Sequence, residues 1–251
     1  MCIRDRDKET IEALCDRRFG IGADGLIAVE PSRGKGGTVR MRYYNADGGE
    51  AEMCGNGARC FGNFAAALLH HDKSAPLPFE TMAGIVTATF EKDGNVTVNL
   101  TDPHSLQLFV LNADPAVGAD VHFLNTGVPH AVAFLDKLDG LDVPRLGAYL
   151  RYHSAFSPKG TNANFARILS PGHIAIRTYE RGVEDETLAC GTGMTASALL
   201  HAVLTDAPSP IQVDVAGGDT LKVGFQRTGD RFTSVTLTGP ADLVFTGDIE
   251  L

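Results

Sequence analysis

The 251-residue chain has no run of basic residues longer than a few positions, and its acidic side chains outnumber its basic ones, 31 to 22, for a formal charge of −9. Nucleic acids and anionic membranes need a cationic surface, so neither is expected as a partner. No stretch approaches the roughly 18 consecutive apolar residues of a bilayer span. The opening residues lack the apolar core of a secretory signal. The five cysteines (2, 15, 54, 60 and 190) are odd in number and irregular in spacing, with no Cys-X-X-Cys among them. That argues against a disulfide framework or a four-ligand zinc site and for reduced thiols in a cytoplasmic protein. "GIGADGL" (Gly20–Leu26) lacks the Gly-Lys-Ser/Thr ending of a phosphate loop, so it is expected to be a turn.

What is present is enough to build a core: 43% of residues are hydrophobic, and 28 glycines are spread along the chain. Period-two alternation in "TVRMRYYN", "GIVTATFEKDGNVTVNL", "HIAIRTYE", "DTLKVGFQ" and "FTSVTLTG" predicts strands, with hairpin turns at "EKDGNV" and "QRTGDRF". Helical periodicity is confined to Lys8–Arg17, Ala58–His70, Pro144–Tyr152 and Thr192–Leu204. The pattern is α+β with strands in the majority.

The chain also repeats itself. "MCGNGARC" (Met53–Cys60) returns as "ACGTGMTAS" (Ala189–Ser197), and each is followed by an Ala- and Leu-rich helical stretch. Phe90 and Phe225, Gly94 and Gly229, and Pro103 and Pro240 keep nearly the same offset as Cys54 and Cys190. Two copies of one α+β unit are expected, joined near His104–Leu108. Residues 1–105 with 240–251 would form an N-terminal half carrying Cys54, and residues 106–239 a C-terminal half carrying Cys190. The closing "ADLVFTGDIEL" is expected to be a strand of the first half.

In both copies Cys-Gly-X-Gly leads into a helix. The glycines let the backbone turn and bare its N–H groups, and a helix start binds carboxylates and favours a thiolate over a thiol. An isolated cysteine at such a place is ordinarily a small buried hydrophobe. Core packing does not require the same Gly-X-Gly cradle twice, however. If the two copies face each other across a pseudo-twofold axis, two thiols flank one cleft as an acid and a base. Cys60, inside the first helix, is expected to be core.

"YYNADGGEAEMCGNGARC" and "YERGVEDETLACGTGMTAS", in that order, resemble the two signature segments of the diaminopimelate epimerase family, and "RRFGIGADGLIAVEP", "NTGVPHAVAF" and "GTNANFARI" are similar to its intervening segments. The resemblance runs from about Lys8 to Leu251. It implies two pseudo-symmetric domains, each a mostly antiparallel, β-barrel-like sheet around a central helix. It implies cofactor-independent epimerisation of LL-2,6-diaminopimelate to the meso form, in lysine and peptidoglycan precursor biosynthesis, by a homodimer acting on a small molecule without a metal. Carried over by residue, Cys54 and Cys190 are the acid–base pair. Asn45, Gly55, Asn56, Asn162, Glu180, Arg181, Gly191 and Thr192 contact substrate, and His130 and Glu180 tune the thiols.

Apart from the resemblance, Asn45 and Asn162 read as turn residues, His130 as a satisfied surface histidine, and Glu180 with Arg181 as a solvated ion pair. Related proline racemases carry a similar cysteine pair with His where this chain has Asn56. A proline or hydroxyproline racemase-like enzyme, or a non-catalytic amino-acid-binding module, are the alternatives. The chain departs from the family at Gly25, where Gln is common, and at Val128, where Asn is common. It also begins "MCIRDR" in place of a first strand and a "GNDF"-type segment, so a family-type start is expected to raise stability and activity.

Overall fold

The computed structural model describes residues 7–34, 36–51 and 54–249; the opening "MCIRDR" and the expectation attached to it lie outside the described residues. The chain forms two units, one of residues up to Val98 together with those from Pro240, the other Asn99–Gly239.

In the first unit the order is α1 (Lys8–Cys15), β1 (Gly25–Pro31), β2 (Val39–Asn45), β3 (Glu50–Ala51), α2 (Gly55–Leu68), β4 (Leu77–Thr81), β5 (Gly84–Phe90) and β6 (Val96–Asn99). Asp7 starts α1 by accepting the Thr10 amide N–H at 2.7 Å, and the helix buries Ile11, Leu14 and Cys15. The strands lie in the order β1-β2-β4-β5-β6, with β3 beside β2. All pairings are antiparallel except β2 with β4, which is parallel and is bridged by the crossover containing α2. The alternation of β4 to β6 turns Leu77, Phe79, Val86, Ala88, Val96 and Val98 inward. Phe61 of α2 meets Phe79 at 4.6 Å between ring centroids. Gly62 lets the helix sit down on β5, because a Cβ there would stand 2.6 Å from that of Ala88.

The second unit contains β7 (His104–Asp114), β8 (Ala119–Asn125), β9 (Pro129–Phe134), α3 (Val143–Arg151), β10 (Asn162–Ser170), β11 (His173–Glu180), β12 (Asp185–Thr187), α4 (Gly191–Thr205), β13 (Ile211–Asp214), β14 (Thr220–Thr228) and β15 (Arg231–Gly239). Its strand order is β15-β14-β13-β11-β10-β9-β8-β7, with β12 beside β11. The run β10 to β15 repeats β1 to β6 step for step. An antiparallel pair carries a short third strand, a helix crosses over to a parallel neighbour, and an antiparallel pair follows. The duplication read from sequence offsets is therefore a duplication of topology. α3 seals the other face over a core of Val143, Leu146, Leu150, Phe165 and Tyr179.

The two cysteine-bearing helices differ in burial. α4 is apolar on all sides and buries an unbroken run from Gly193 to Ala202, so strands surround it. α2 buries one face and exposes Cys60, Phe64 and Leu68, one above another at four-residue spacing. Cys60 is thus on the exposed face and not in the core: it stands opposite Phe61 and Ala65, which hold the sheet.

Two other expectations are corrected. His104–Leu108 is no junction but the first half of β7, an 11-residue strand whose register against β8 shifts three times. Ser105, Phe109 and Ala113 take positive φ along it, which is how a strand accommodates bulges. The closing segment is no strand over Ala241–Ile249, and Leu243, Val244 and Phe245 are 71%, 86% and 67% exposed. Alternation chooses a face but does not provide a partner, and no described strand pairs with it. Asn63 and Arg59 of α2 hold its start by donating to the carbonyls of Ala241 (2.7 Å) and Pro240 (3.4 Å).

Candidate active site

Cys54 and Cys190 occupy the same place in their units. Each is the N-cap of the crossover helix, in extended backbone conformation (φ −137° and −112°). The first intrahelical bonds are Ala58 N–H to the Cys54 carbonyl and Met194 N–H to the Cys190 carbonyl, both 2.8 Å. The preceding amides, of Gly55 and Asn56 and of Gly191 and Thr192, point out of the helix starts, where the helix dipole favours an anion.

The sulfurs are held differently. Cys54 is half-buried and its Sγ accepts the Gly57 N–H at 3.3 Å. An N–H···S bond of this kind is stronger when the sulfur is anionic. Cys190 is buried, caps no backbone amide, and has Sγ 3.5 Å from the Thr192 hydroxyl. The described thiols Cys15, Cys54, Cys60 and Cys190 are unbridged. Among the described residues no three His, Cys, Asp or Glu side chains gather as a metal would require.

Around Cys54, the buried Arg59 donates to the Asn56 side-chain oxygen (3.1 Å) and the Gly55 carbonyl (3.4 Å), fixing the first turn of α2. Asn45 lies exposed at the end of β2, with its backbone closing the turn to Gly49. Gly25 stands at the start of β1, and a Cβ there would lie 2.4 Å from the Tyr44 carbonyl oxygen. A larger side chain at this position would force this strand pair apart.

In the second unit Asn162 and Arg181 are bonded to each other. Asn162 is buried; its amide donates to the Pro129 carbonyl (3.0 Å) and its oxygen accepts the Arg181 N–H (2.8 Å). Arg181 Nη1 donates to the Lys159 carbonyl at 3.3 Å. Glu180 accepts from the Thr187 hydroxyl at 2.6 Å, across the β11–β12 pair. His130 is fully buried, which excludes a surface role, and burial with the Arg181 charge pushes its pKa down to about 3. Val128 lies in the bend before β9, where its carbonyl accepts the Thr126 N–H at 3.2 Å.

Sequence reasoning missed Thr126, Asn164 and Thr178. The Thr126 hydroxyl donates to the Thr192 carbonyl at 3.0 Å, tying the β8–β9 bend to the first turn of α4. Asn164, fully buried, bonds His130, the Ala131 carbonyl and Thr178. Its only sequence signal is an amide two residues after Asn162 in a β-strand, which places both on the same side of β10.

Comparison with known proteins gives the family and the fold. A family model described as diaminopimelate epimerase matches residues 3–106 and 122–244. A diaminopimelate epimerase of Chlorobaculum tepidum is 43% identical over 245 residues, covering 97% of this chain and 91% of its own. One from a Hydrogenobaculum species is 41% identical over 244 residues, covering 95% and 85%. Among solved structures, a probable proline racemase from Agrobacterium radiobacter aligns with a TM-score of 0.66 at 19% identity, covering 95% of this chain and 79% of that one. Identity that low speaks for the fold alone.

Proposed function

This chain belongs to the diaminopimelate epimerase family and is an isomerase, and on that premise we propose that it interconverts LL- and meso-2,6-diaminopimelate with Cys54 and Cys190 as acid and base. The observation that carries the reading is the matched pair of cysteine-capped helix starts, one per unit, each with outward amides and a Gly-X-Gly turn.

The proposed reaction balances without an external reagent. One sulfur, as thiolate, takes the α-proton; the C–H electron pair remains on the substrate, delocalised into the adjacent carboxylate. The other sulfur, as thiol, delivers its proton to the opposite face. After a turnover the thiolate and thiol have exchanged identities, so the reverse reaction starts from the product state. Outward helix-start amides are suited to the carboxylate as its charge grows. Glu180 would hold the ammonium, and Asn45, Asn162 and Arg181 the remaining polar groups of the substrate. Two thiols acting as acid and base must be in opposite protonation states when the substrate binds. We place the activity in the cytoplasm, in lysine and cell-wall precursor synthesis, with the active species a homodimer.

The 43% identity to a diaminopimelate epimerase, against 19% to a probable proline racemase, favours the first substrate. Solvent-deuterium uptake at the α-carbon tests it. Wild type is expected to exchange LL-diaminopimelate, and Cys54→Ser and Cys190→Ser each to lose about 10²–10⁴-fold in rate with little change in melting temperature. Exchange of proline instead of diaminopimelate would reverse the substrate assignment. Exchange that survives loss of both thiols would end the mechanism.

A further inference from the structure

Behind the first turn of α4 lies a closed set of buried polar side chains: His130 on β9, Asn164 on β10 and Thr178 on β11, exposed by 0%, 0% and 2%. The Asn164 amide nitrogen donates to the Ala131 carbonyl at 3.0 Å, and the same nitrogen lies 3.2 Å from His130 Nδ1. The Thr178 hydroxyl donates to Asn164 Oδ1 at 3.0 Å. A backbone carbonyl can only accept, so the Ala131 contact settles which end of the Asn164 side chain is the NH2 group. Its second hydrogen then points at His130 Nδ1, which must be an acceptor and carry no proton. The neutral ring keeps its single proton on Nε2, and that buried N–H has no hydrogen-bond partner among the described residues.

The same side chain touches the cysteine-bearing helix. A Cβ on Gly193 would stand 2.3 Å from Asn164 Oδ1 and 3.3 Å from the Cys190 Cβ. Asn164 therefore lies between the His130 ring and the turn that presents Cys190.

We propose that Asn164 is a positioning residue that locks His130 as a neutral Nε2–H donor, so that His130 can offer a hydrogen bond to a developing negative charge but cannot accept a proton from substrate. Protonation at Nδ1 would set two donors against each other, beyond the burial that chiefly depresses the ring's pKa to about 3. The charged group that adds to the effect is Arg181, after the end of β11. Two other buried histidines show the rule. His122 Nδ1 accepts the Phe109 N–H at 3.2 Å, and His201 Nε2 donates to the Pro171 carbonyl at 2.7 Å. In each, one contact with backbone fixes the tautomer. For His130 the fixing group is a side chain, and a side chain can be exchanged.

The catalytic consequence rests on the two-thiol reading above, whereas the tautomer is read without substrate. Imidazole nitrogen-15 spectra of the intact protein, with the His130 signals identified by their loss in His130→Gln, are expected to show Nε2 protonated and Nδ1 bare, unchanged between about pH 4.5 and 8. In Asn164→Asp an acceptor replaces the donor. Nδ1 is expected to gain a proton, and the ring to titrate with a midpoint raised by about 1–3 units. Diaminopimelate exchange should gain a matching new inflection in its pH profile, which a merely structural defect would not produce. Asn164→Ala, which removes the donor without adding a charge, is expected to give a mixture of tautomers and covers the case in which the buried aspartate prevents folding. An Nδ1-protonated ring in wild type overturns the proposal, as does a folded Asn164→Asp whose Nδ1 stays bare. If diaminopimelate is not exchanged at all, the proposed substrate fails while the spectra still decide the tautomer.

Discussion

Gly193 has room for a hydrogen and nothing more. A methyl there must displace the Asn164 amide, which is held by three hydrogen bonds, or push back the first turn of α4. Gly193→Ala is expected to cost about 1–3 kcal/mol in urea unfolding, typical of overpacking in a filled site. The three buried histidines make a second residue-scale prediction. His122, His130 and His201 all have pKa values lowered by burial. A base depressed in the folded state binds fewer protons there than when unfolded. The stability it contributes is complete above its unfolded value, near 6.5, and is lost as the pH falls below that. For His130 the loss continues down to about 3. The slope is at most about 1.4 kcal/mol per pH unit for each group. Melting temperature is expected to fall steadily below about pH 6.5, and His130→Gln to flatten the decline. A flat profile from pH 7 to about 4 would contradict it.

At the scale of elements, the contrast between α4 and α2 predicts opposite tolerances. Leu200, fully buried on α4, is expected to cost about 2–5 kcal/mol when replaced by Ala, the usual range for an emptied core site. Leu68, 55% exposed on α2, is expected to stay within about 0.5 kcal/mol. Thermal unfolding of the two variants side by side checks both. Helix positions were legible because their period persists over two or more turns, and β11 was read to the residue from "HIAIRTYE". The matching helix starts at Cys54 and Cys190 were legible because the chain repeats the surrounding letters. Cys60 and the closing segment were misjudged for one reason: apolarity says that a residue can be buried, and only the neighbouring chain decides whether it is. Asn164 was invisible because "NAN" is ordinary sequence, and its role arises from a carbonyl on β9 and a glycine on α4.

For the whole molecule, the repeat has a difference in continuity. The second unit is one uninterrupted stretch with its own core, from Asn99 to Gly239, while the first is assembled from two pieces of chain. A fragment of residues 99–239 is expected to fold cooperatively by circular dichroism, and to be inactive in diaminopimelate exchange because it holds only Cys190. A broad, non-cooperative melt would show that this unit depends on the rest of the chain.

That difference in continuity also sets an order of events on the ribosome. Most of the first unit, Cys54 included, emerges before the second, yet the segment that Asn63 and Arg59 hold at Pro240 and Ala241 is translated only after the whole second unit. The half made first is therefore the half finished last.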